Sequence, residues 1–551
     1  MKQLLMNCNI QKLRIFAILF LLTLSACSRE ANKEIEAPQI TGLSVSVLGT
    51  ESEQIDMDTK DPKASNERLS PTGKQLAIQS AGDLDLSMTV EKDNFSTNGK
   101  TRLYSRQQRG TSSKLLRAES MAPGIVFRML IYNMDGTLHK NVEATANSEL
   151  KIDVVKGASY RWIAYSYNRD NSVTLPDVAD PLAPILSTGE GYDLLYATDT
   201  IDISNTGNTP LGILFKHKLS RVAVELNTMG MFADLNAAQI TFAGNYFGKG
   251  SIDLFTGVVT NDQNYATTPI SSNFQRIPNY SYGDRNVAYF YTSNPDAINS
   301  FQVILNNLSI HIDNSTIRTF NSPVSLPAVN LVSSALGKSR TVKIDLIESA
   351  LTVGSVKWAR QNIYYQAGHN PYRFNHTYAH SNNRNSYFAF KAHLPEDWAV
   401  RDAEIDPCSL VYPQGVWRNA TENDYNDLLT HTGNRGNVGG LNYIEYAATG
   451  TASPYPSNNL RFNYNGQGIA ASLAEIISLD LGTTYGNSAN LWTTDEILAV
   501  PPLISAGSRY YRSTTALNLM ATELLNISLL GSINVLQTPF KNVRCVRTAG
   551  N

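Results

Sequence analysis

Short runs of alternating apolar and polar residues, each closed by turn-forming residues, recur along most of this chain. A period of two puts one side-chain set on each face of a strand, so the runs point to half-buried antiparallel sheets. Leu150-Lys151-Ile152-Asp153-Val154 alternates, Lys156-Gly157 turns, and the aromatic-rich stretch 160–167 follows. Val222, Val224 and Leu226 alternate with Ala223 and Glu225, and Val342-Lys343-Ile344-Asp345-Leu346 repeats the pattern. Between 76 and 90, Leu84, Leu86, Met88 and Val90 share one face. The stretch 125–132 is apolar at nearly every position, which predicts a strand covered on both faces, and Asn133-Met134-Asp135-Gly136 supplies the turn after it. Long helical periodicity is absent from 74 to 350. With breaks at 176–191 and 205–210, this region reads as two tandem β-sandwiches, 74–209 and 210–350.

After residue 350 the character changes. Trp358, Trp398, Trp417 and Trp492 all lie there, leaving only Trp162 upstream. Thr421 and Asp424 have capping-box spacing, Tyr425, Leu428 and Leu429 form an i, i+3, i+4 face, and Gly433 follows, so one helix is expected. The Asn-, Gly- and Tyr-rich stretch 433–487 reads as loops. The third domain, 351–551, is therefore expected to be mixed α+β, in a chain that is mainly β.

The amino end carries an export pattern. Lys2, Lys12 and Arg14 form a basic start, residues 15–24 are apolar, and small residues precede Cys27. An apolar core of about ten residues is a secretory signal, too short for the roughly 20 needed to span a bilayer. Leu24-Ser25-Ala26-Cys27 resembles a lipobox, in which the cysteine becomes the acylated first residue, so 1–27 is expected to be a lipoprotein signal peptide with lipidation at Cys27. Residues 28–73 are polar apart from Leu43-Ser44-Val45-Ser46-Val47 and read as a tether or propeptide. A basic Ser/Gln/Gly-rich stretch holds Arg102, Arg106, Arg109 and Arg117. It is either a solvated loop or an exposed processing site for a trypsin-like protease, because nicking concentrates in such loops. Arg117 leads most directly into the next strand, and Arg68 is a further candidate.

The net charge of −2 offers no electrostatic basis for binding nucleic acid. Of four cysteines, Cys8 leaves with the signal and Cys27 carries lipid, so Cys408 and Cys545 remain. In an oxidising compartment they form one disulfide or stay as two buried thiols; two isolated cysteines do not make a structural zinc site. No Gly-x-Ser-x-Gly, His-Glu-x-x-His or phosphate loop occurs, so no enzyme activity and no cofactor is expected. His217 between Lys216 and Lys218 reads as a packed or surface residue. Asn423, Asp424, Asn426 and Asp427 cannot converge on one ion at helical spacing, so no metal is expected. Trp417, Tyr443 and Trp492 are candidates for a sugar- or protein-binding face, with core packing as the competing reading of the two tryptophans.

Two stretches resemble known families. Phe215-Lys216-His217-Lys218-Leu219-Ser220-Arg221-Val222-Ala223-Val224 resembles the F-x-H-x-[LM]-[SA]-[RK]-[VIL]-x-V strand of fimbrillin-like proteins, the lipoprotein-exported subunits of type V pili. Trp358-Ala359-Arg360-Gln361-Asn362, Cys408, Pro413 through Glu422, Leu491-Trp492-Thr493-Thr494 and Val543-Arg544-Cys545-Val546-Arg547 resemble a Fibrobacter-type major paralogous domain, similar to C-type-lectin-like folds. Val416 and Asn419-Ala420 depart from that family's Gly-Trp-Arg-Leu-Pro-Thr run. In such folds a first and last cysteine often pair, which implies Cys408–Cys545. The combination resembles a tip-type accessory subunit of a major fimbria, placed on the cell surface through the outer membrane. The resemblance implies Arg-specific removal of an N-terminal strand, here 76–90, and assembly by β-strand addition. It implies other fimbrial subunits (the major fimbrillin and accessory proteins) and host or bacterial surface receptors as partners. The competing reading is a surface-anchored glycan- or protein-binding lipoprotein that never enters a pilus.

Overall fold

The computed structural model describes residues 39–51, 78–81, 84–93, 95, 101–105, 115–313, 315–320, 323–331, 335–395, 405–449, 457–471, 484–497, 506–526 and 537–550. These residues are mainly β. Among them one α-helix occurs, Glu422–Leu429, capped by Thr421 and Asp424.

The first sheet runs, strand by strand, Thr101–Ser105, Leu115–Glu119, Ile40–Glu51, Thr209–His217, Leu195–Asp202, Ser159–Ser166, Val126–Asn133 and Leu138–Thr145, with Leu150–Val155 also paired to Ile40–Glu51. Its core gathers Leu43, Val45, Phe127, Met129, Ile131 and Trp162 among others. The apolar run at 125–132 serves two cores. Phe127, Met129 and Ile131 face the first, while Val126, Leu130 and Tyr132 face a second cluster with Leu186, Ile252 and Tyr291. That second cluster joins the first sheet to the rest of the molecule.

A six-stranded sheet, Gln275–Arg276, Arg285–Thr292, Ser220–Gly230, Ser339–Glu348, Leu84–Asp93 and Gln79–Ala81, packs on a smaller one. The smaller sheet contains Asp234–Phe242, Val303–His311, Ile317–Phe320 and Val324–Ser325. Leu84, Leu86, Met88, Val224 and Ile344 meet Ile240, Val303 and Leu308 between them.

Three strand placements differ from the sequence reading. Ile40–Glu51, inside the stretch 28–73 read as a tether, is an interior strand of the first sheet. Leu84–Asp93, read as part of the first sandwich, pairs along ten residues with Ser339–Glu348 in the second. Thr209–His217, which the sequence reading assigned to the second sandwich, pairs in the first sheet with Ile40–Glu51 and Leu195–Asp202. Alternation fixes which face a side chain occupies, but several strands of similar pattern compete for each neighbour, and only the closed sheet selects one.

The six-stranded sheet was expected to be solvated on one face. Its polar face is buried instead: Asp85, Ser87, Thr89, Glu225, Asn227 and Asp345 are all covered. The third region docks here. Tyr412 donates to Asp345 Oδ1 at 2.6 Å and accepts from Asn227 Nδ2 and Lys343 Nζ. Arg547 donates from Nη2 to Asp85 Oδ2 at 2.6 Å and to the Glu348 carbonyl at 2.8 Å. Glu348 is itself buried between Arg318 and Arg360. Farther along the seam, His369 lies 2.7 Å from Asp284 and stacks on Tyr282.

Breaking a buried ion pair on one side costs about 3–5 kcal/mol, whereas replacing both partners by packed apolar groups is often neutral. Arg547→Met should therefore destabilise by about 3–5 kcal/mol, and Arg547→Met with Asp85→Leu should recover most of that loss. Denaturant unfolding checks this; additive losses would rule out the coupling. Glu348 gives a pH-dependent contribution. Burial alone would raise its carboxyl, but Arg318 and Arg360 hold it below the ordinary 4.5. A depressed carboxylate stabilises above its unfolded value and loses that stabilisation as pH falls through the folded one. The difference in melting temperature between the protein and its Glu348→Gln variant should narrow below pH 4.5.

Candidate functional site

The candidate site is the slot in the first sheet filled by Ile40–Glu51. This strand runs parallel to Thr209–His217, from Leu43 opposite Thr209 to Thr50 opposite Phe215. On its other edge it pairs antiparallel, first with Leu150–Val155 and then, at Thr50 and Glu51, with Leu115–Glu119. Main-chain hydrogen bonds thus hold it on both sides. Leu43 and Val45 point into the core beside Ile152, Val154, Leu211 and Ile213, and Val47 is packed against it. Full burial of one such side chain contributes about 1.5–3 kcal/mol.

A bulge between Val47 and Gly49 shifts the register. Gly49 has φ +134°, and a Cβ there would lie 2.0 Å from the Glu119 carbonyl oxygen, so only glycine fits. Gly212 opposite leaves room for Leu48, whose Cδ1 would stand 2.8 Å from a Cβ. The strand is bound by backbone and shape, and its ion pair, Glu51 with Lys216, lies at the surface. Leu84–Asp93 is held differently, because its Asp85 anchors the buried Arg547.

Cys27, Arg68, Arg106 and Arg109 lie outside the described residues. Arg102 and Arg117 do not lie in a loop: they are in the paired strands Thr101–Ser105 and Leu115–Glu119, with Leu103 opposite Arg117. A ladder occupies the backbone there, so these two positions are strand rather than the loop read from composition. Cys408 and Cys545 are joined in a disulfide with Cα atoms 5.6 Å apart.

Trp417 and Trp492 are each 1% exposed and cannot form a binding face. Trp417 lies against Phe374 and beneath the Arg547 guanidinium, 3.8 Å from its ring; Trp492 packs on Phe390 and donates to the Phe388 carbonyl. Core packing wins because these large rings fill the space around the disulfide. Tyr443 is half-buried under Arg461, which also pairs with Glu445.

The His217 side chain is covered, 2.8 Å from Asp193 and stacked on Phe95 at 3.7 Å. Asp424 is taken by Arg418 and its cap, and Asp427 by Ser355, so the Asn/Asp group does not converge. Among the described residues no group of three or more His, Cys, Asp or Glu could hold a metal, and no helix is long and apolar enough to cross a membrane. Sequence reasoning missed Asp85 and Arg547. The only signal was charge inside otherwise apolar strands, Leu84-Asp85-Leu86 and Cys545-Val546-Arg547.

Residues 154–360 match a family model described as fimbrillin-like. No curated protein matches the chain. Among solved structures it is similar to a candidate cell adhesion protein of Bacteroides fragilis, at 14% identity over 47% of this chain and 96% of the other, with TM-score 0.30. It is similar to the fimbrial anchor protein Mfa2 of Porphyromonas gingivalis at 14% identity, over 34% of this chain and 72% of the other, with TM-score 0.21. A fimbrial assembly protein of Parabacteroides distasonis matches at 12% identity, over 42% and 85%, with TM-score 0.22. The segment 154–360, from just before the strand Ser159–Ser166 to the start of the third region, is thus similar to fimbrillin-like proteins.

Proposed function

We propose that this chain is an accessory, tip-type structural and adhesive subunit of a bacterial fimbria, without enzymatic activity. It is exported as a lipoprotein on Cys27, held at the outer membrane, and assembled by strand addition after Arg-specific proteolysis. Its third region, 351–551, is the C-type-lectin-like module that carries adhesion. The observation that carries this reading is the N-terminal strand Ile40–Glu51, seated in a slot by main-chain bonds and two fully buried side chains. A strand bound in that way is exchangeable for another of matching pattern.

The position of the cut follows from the two N-terminal strands. Cleavage anywhere from Arg102 to Arg117 separates Leu84–Asp93 from the rest of the chain as well. Loss of that strand would strip Leu84, Leu86 and Met88 from the core between the six-stranded sheet and the smaller one and leave Arg547 buried without Asp85. Cleavage between Glu51 and Gln79 frees only Ile40–Glu51, and Arg68 is the one arginine in that interval. We therefore assign the processing site to Arg68. Until another strand displaces Ile40–Glu51, the cut subunit stays on its lipid anchor through that strand. Assembly and release from the membrane are then one event.

Exposure of cells to an Arg-specific protease should give a shortened chain beginning at Leu69 that co-purifies with fimbriae, while Arg68→Ala stays full length in the membrane. A mature chain beginning after Arg102–Arg117 overturns the assignment. A full-length, membrane-bound wild-type chain instead indicates a surface lipoprotein that binds glycan or protein outside any pilus. Gly49→Val should lower the melting temperature of the precursor, through about 1–3 kcal/mol of backbone strain plus the clash with Glu119, and leave the mature subunit unchanged. An equal loss in both forms would show that the strand is not released.

A further inference from the structure

The third region buries an amine that the proposed assembly mechanism does not use. Lys541 follows the strand Gln537–Phe540 and is 0% exposed. Its Nζ lies 2.6 Å from the Gln467 carboxamide oxygen and 3.0 Å from Glu523 Oε2. The rings of Tyr510 and Trp492 stand 4.1 and 4.8 Å from the same nitrogen. A lysine, a carboxamide and a carboxylate thus share one pocket walled by aromatic rings.

Each group has the chemistry for acyl transfer. Desolvation pushes the Lys541 ammonium down to about 8 although Glu523 opposes it, so the free amine is accessible near neutral pH. A desolvated lysine amine is a nucleophile. The Gln467 carbonyl carbon is one C=O bond, about 1.2 Å, beyond the oxygen that Nζ already contacts. Glu523 is placed to receive the amine proton and return it to a leaving group. Fixed geometry replaces the encounter that makes amide exchange slow in water.

We propose that Lys541 and Gln467 become joined by an intramolecular isopeptide bond, with Glu523 as the proton-transfer group. Glu523 takes a proton from the Lys541 ammonium, and the neutral Nζ attacks Gln467 Cδ. The Nζ–Cδ bond forms and the Cδ–Nε2 bond breaks. Nε2 departs with the protons relayed through Glu523, leaving as ammonium, and Glu523 ends ionised as it began. No oxidant or co-reactant is needed.

The bond reinforces a weak place. Gln467 directly precedes Gly468–Ala471, which pairs only with Gln537–Phe540 among the described residues, and Gly468 stands opposite Phe540. A two-stranded ladder is marginal by itself. A covalent link at its end holds both strands when the domain is pulled, as a surface adhesin would be.

Intact-mass measurement on the full chain, denatured with its disulfide oxidised, should fall short of the mass calculated for the disulfide-bonded chain by one ammonia, about 17 Da. Proteolytic mapping should recover one branched peptide joining Gln467 to Lys541. Lys541→Met and Glu523→Gln should both lack the branched peptide, and circular dichroism should show Glu523→Gln still folded. Separate unmodified peptides bearing Gln467 and Lys541 in the wild-type chain overturn the proposal. So does a mass deficit that maps elsewhere or persists in Lys541→Met.

Discussion

The buried contact between Arg547 and Asp85 ties the last strand of the chain to one of its first. Arg547 also donates to the Glu348 carbonyl and lies over the Trp417 ring, so one side chain touches the second sandwich, the seam and the core around the disulfide. Such a charge is costly to desolvate, and burial lowers the guanidinium from its ordinary value even with Asp85 beside it. The contact therefore contributes more to alignment than to raw stability. It has correct partners only when the third region sits in one orientation on the polar face of the six-stranded sheet.

This arrangement divides the N-terminal segment into two parts with different physics. Leu84–Asp93 is pinned by a charge, a ten-residue ladder and a shared core. Ile40–Glu51 is held by ladders and by alternate apolar side chains that any strand of the same pattern could supply. Exchange is chemically reasonable for the second and costly for the first. The proposed processing at Arg68 rests on this asymmetry.

The candidate site was only partly legible. The alternation Leu43-Ser44-Val45-Ser46-Val47 was visible inside a polar stretch, but nothing local told that its neighbours would be Leu150–Val155 and Thr209–His217, far along the chain. The arginines at 102 and 117 sit in a composition that reads as loop, yet two strands pair there because they extend the edge beside Ile40–Glu51. Tryptophan has an amphipathic character suited to either a binding face or a core. Trp417 and Trp492 went to the core because the space around Cys408–Cys545 had to be filled.

By itself the sequence determined the mainly β character and the helix capped by Thr421 and Asp424, since periodicity and caps are local. Tertiary structure alone decided strand partners, the burial of the sheet's polar face, and the meeting of Arg547 with Asp85 and of Lys541 with Gln467 and Glu523. Those are contacts between residues distant along the chain. A pattern of period two specifies which face a residue takes, and only a closed fold specifies what lies across from it.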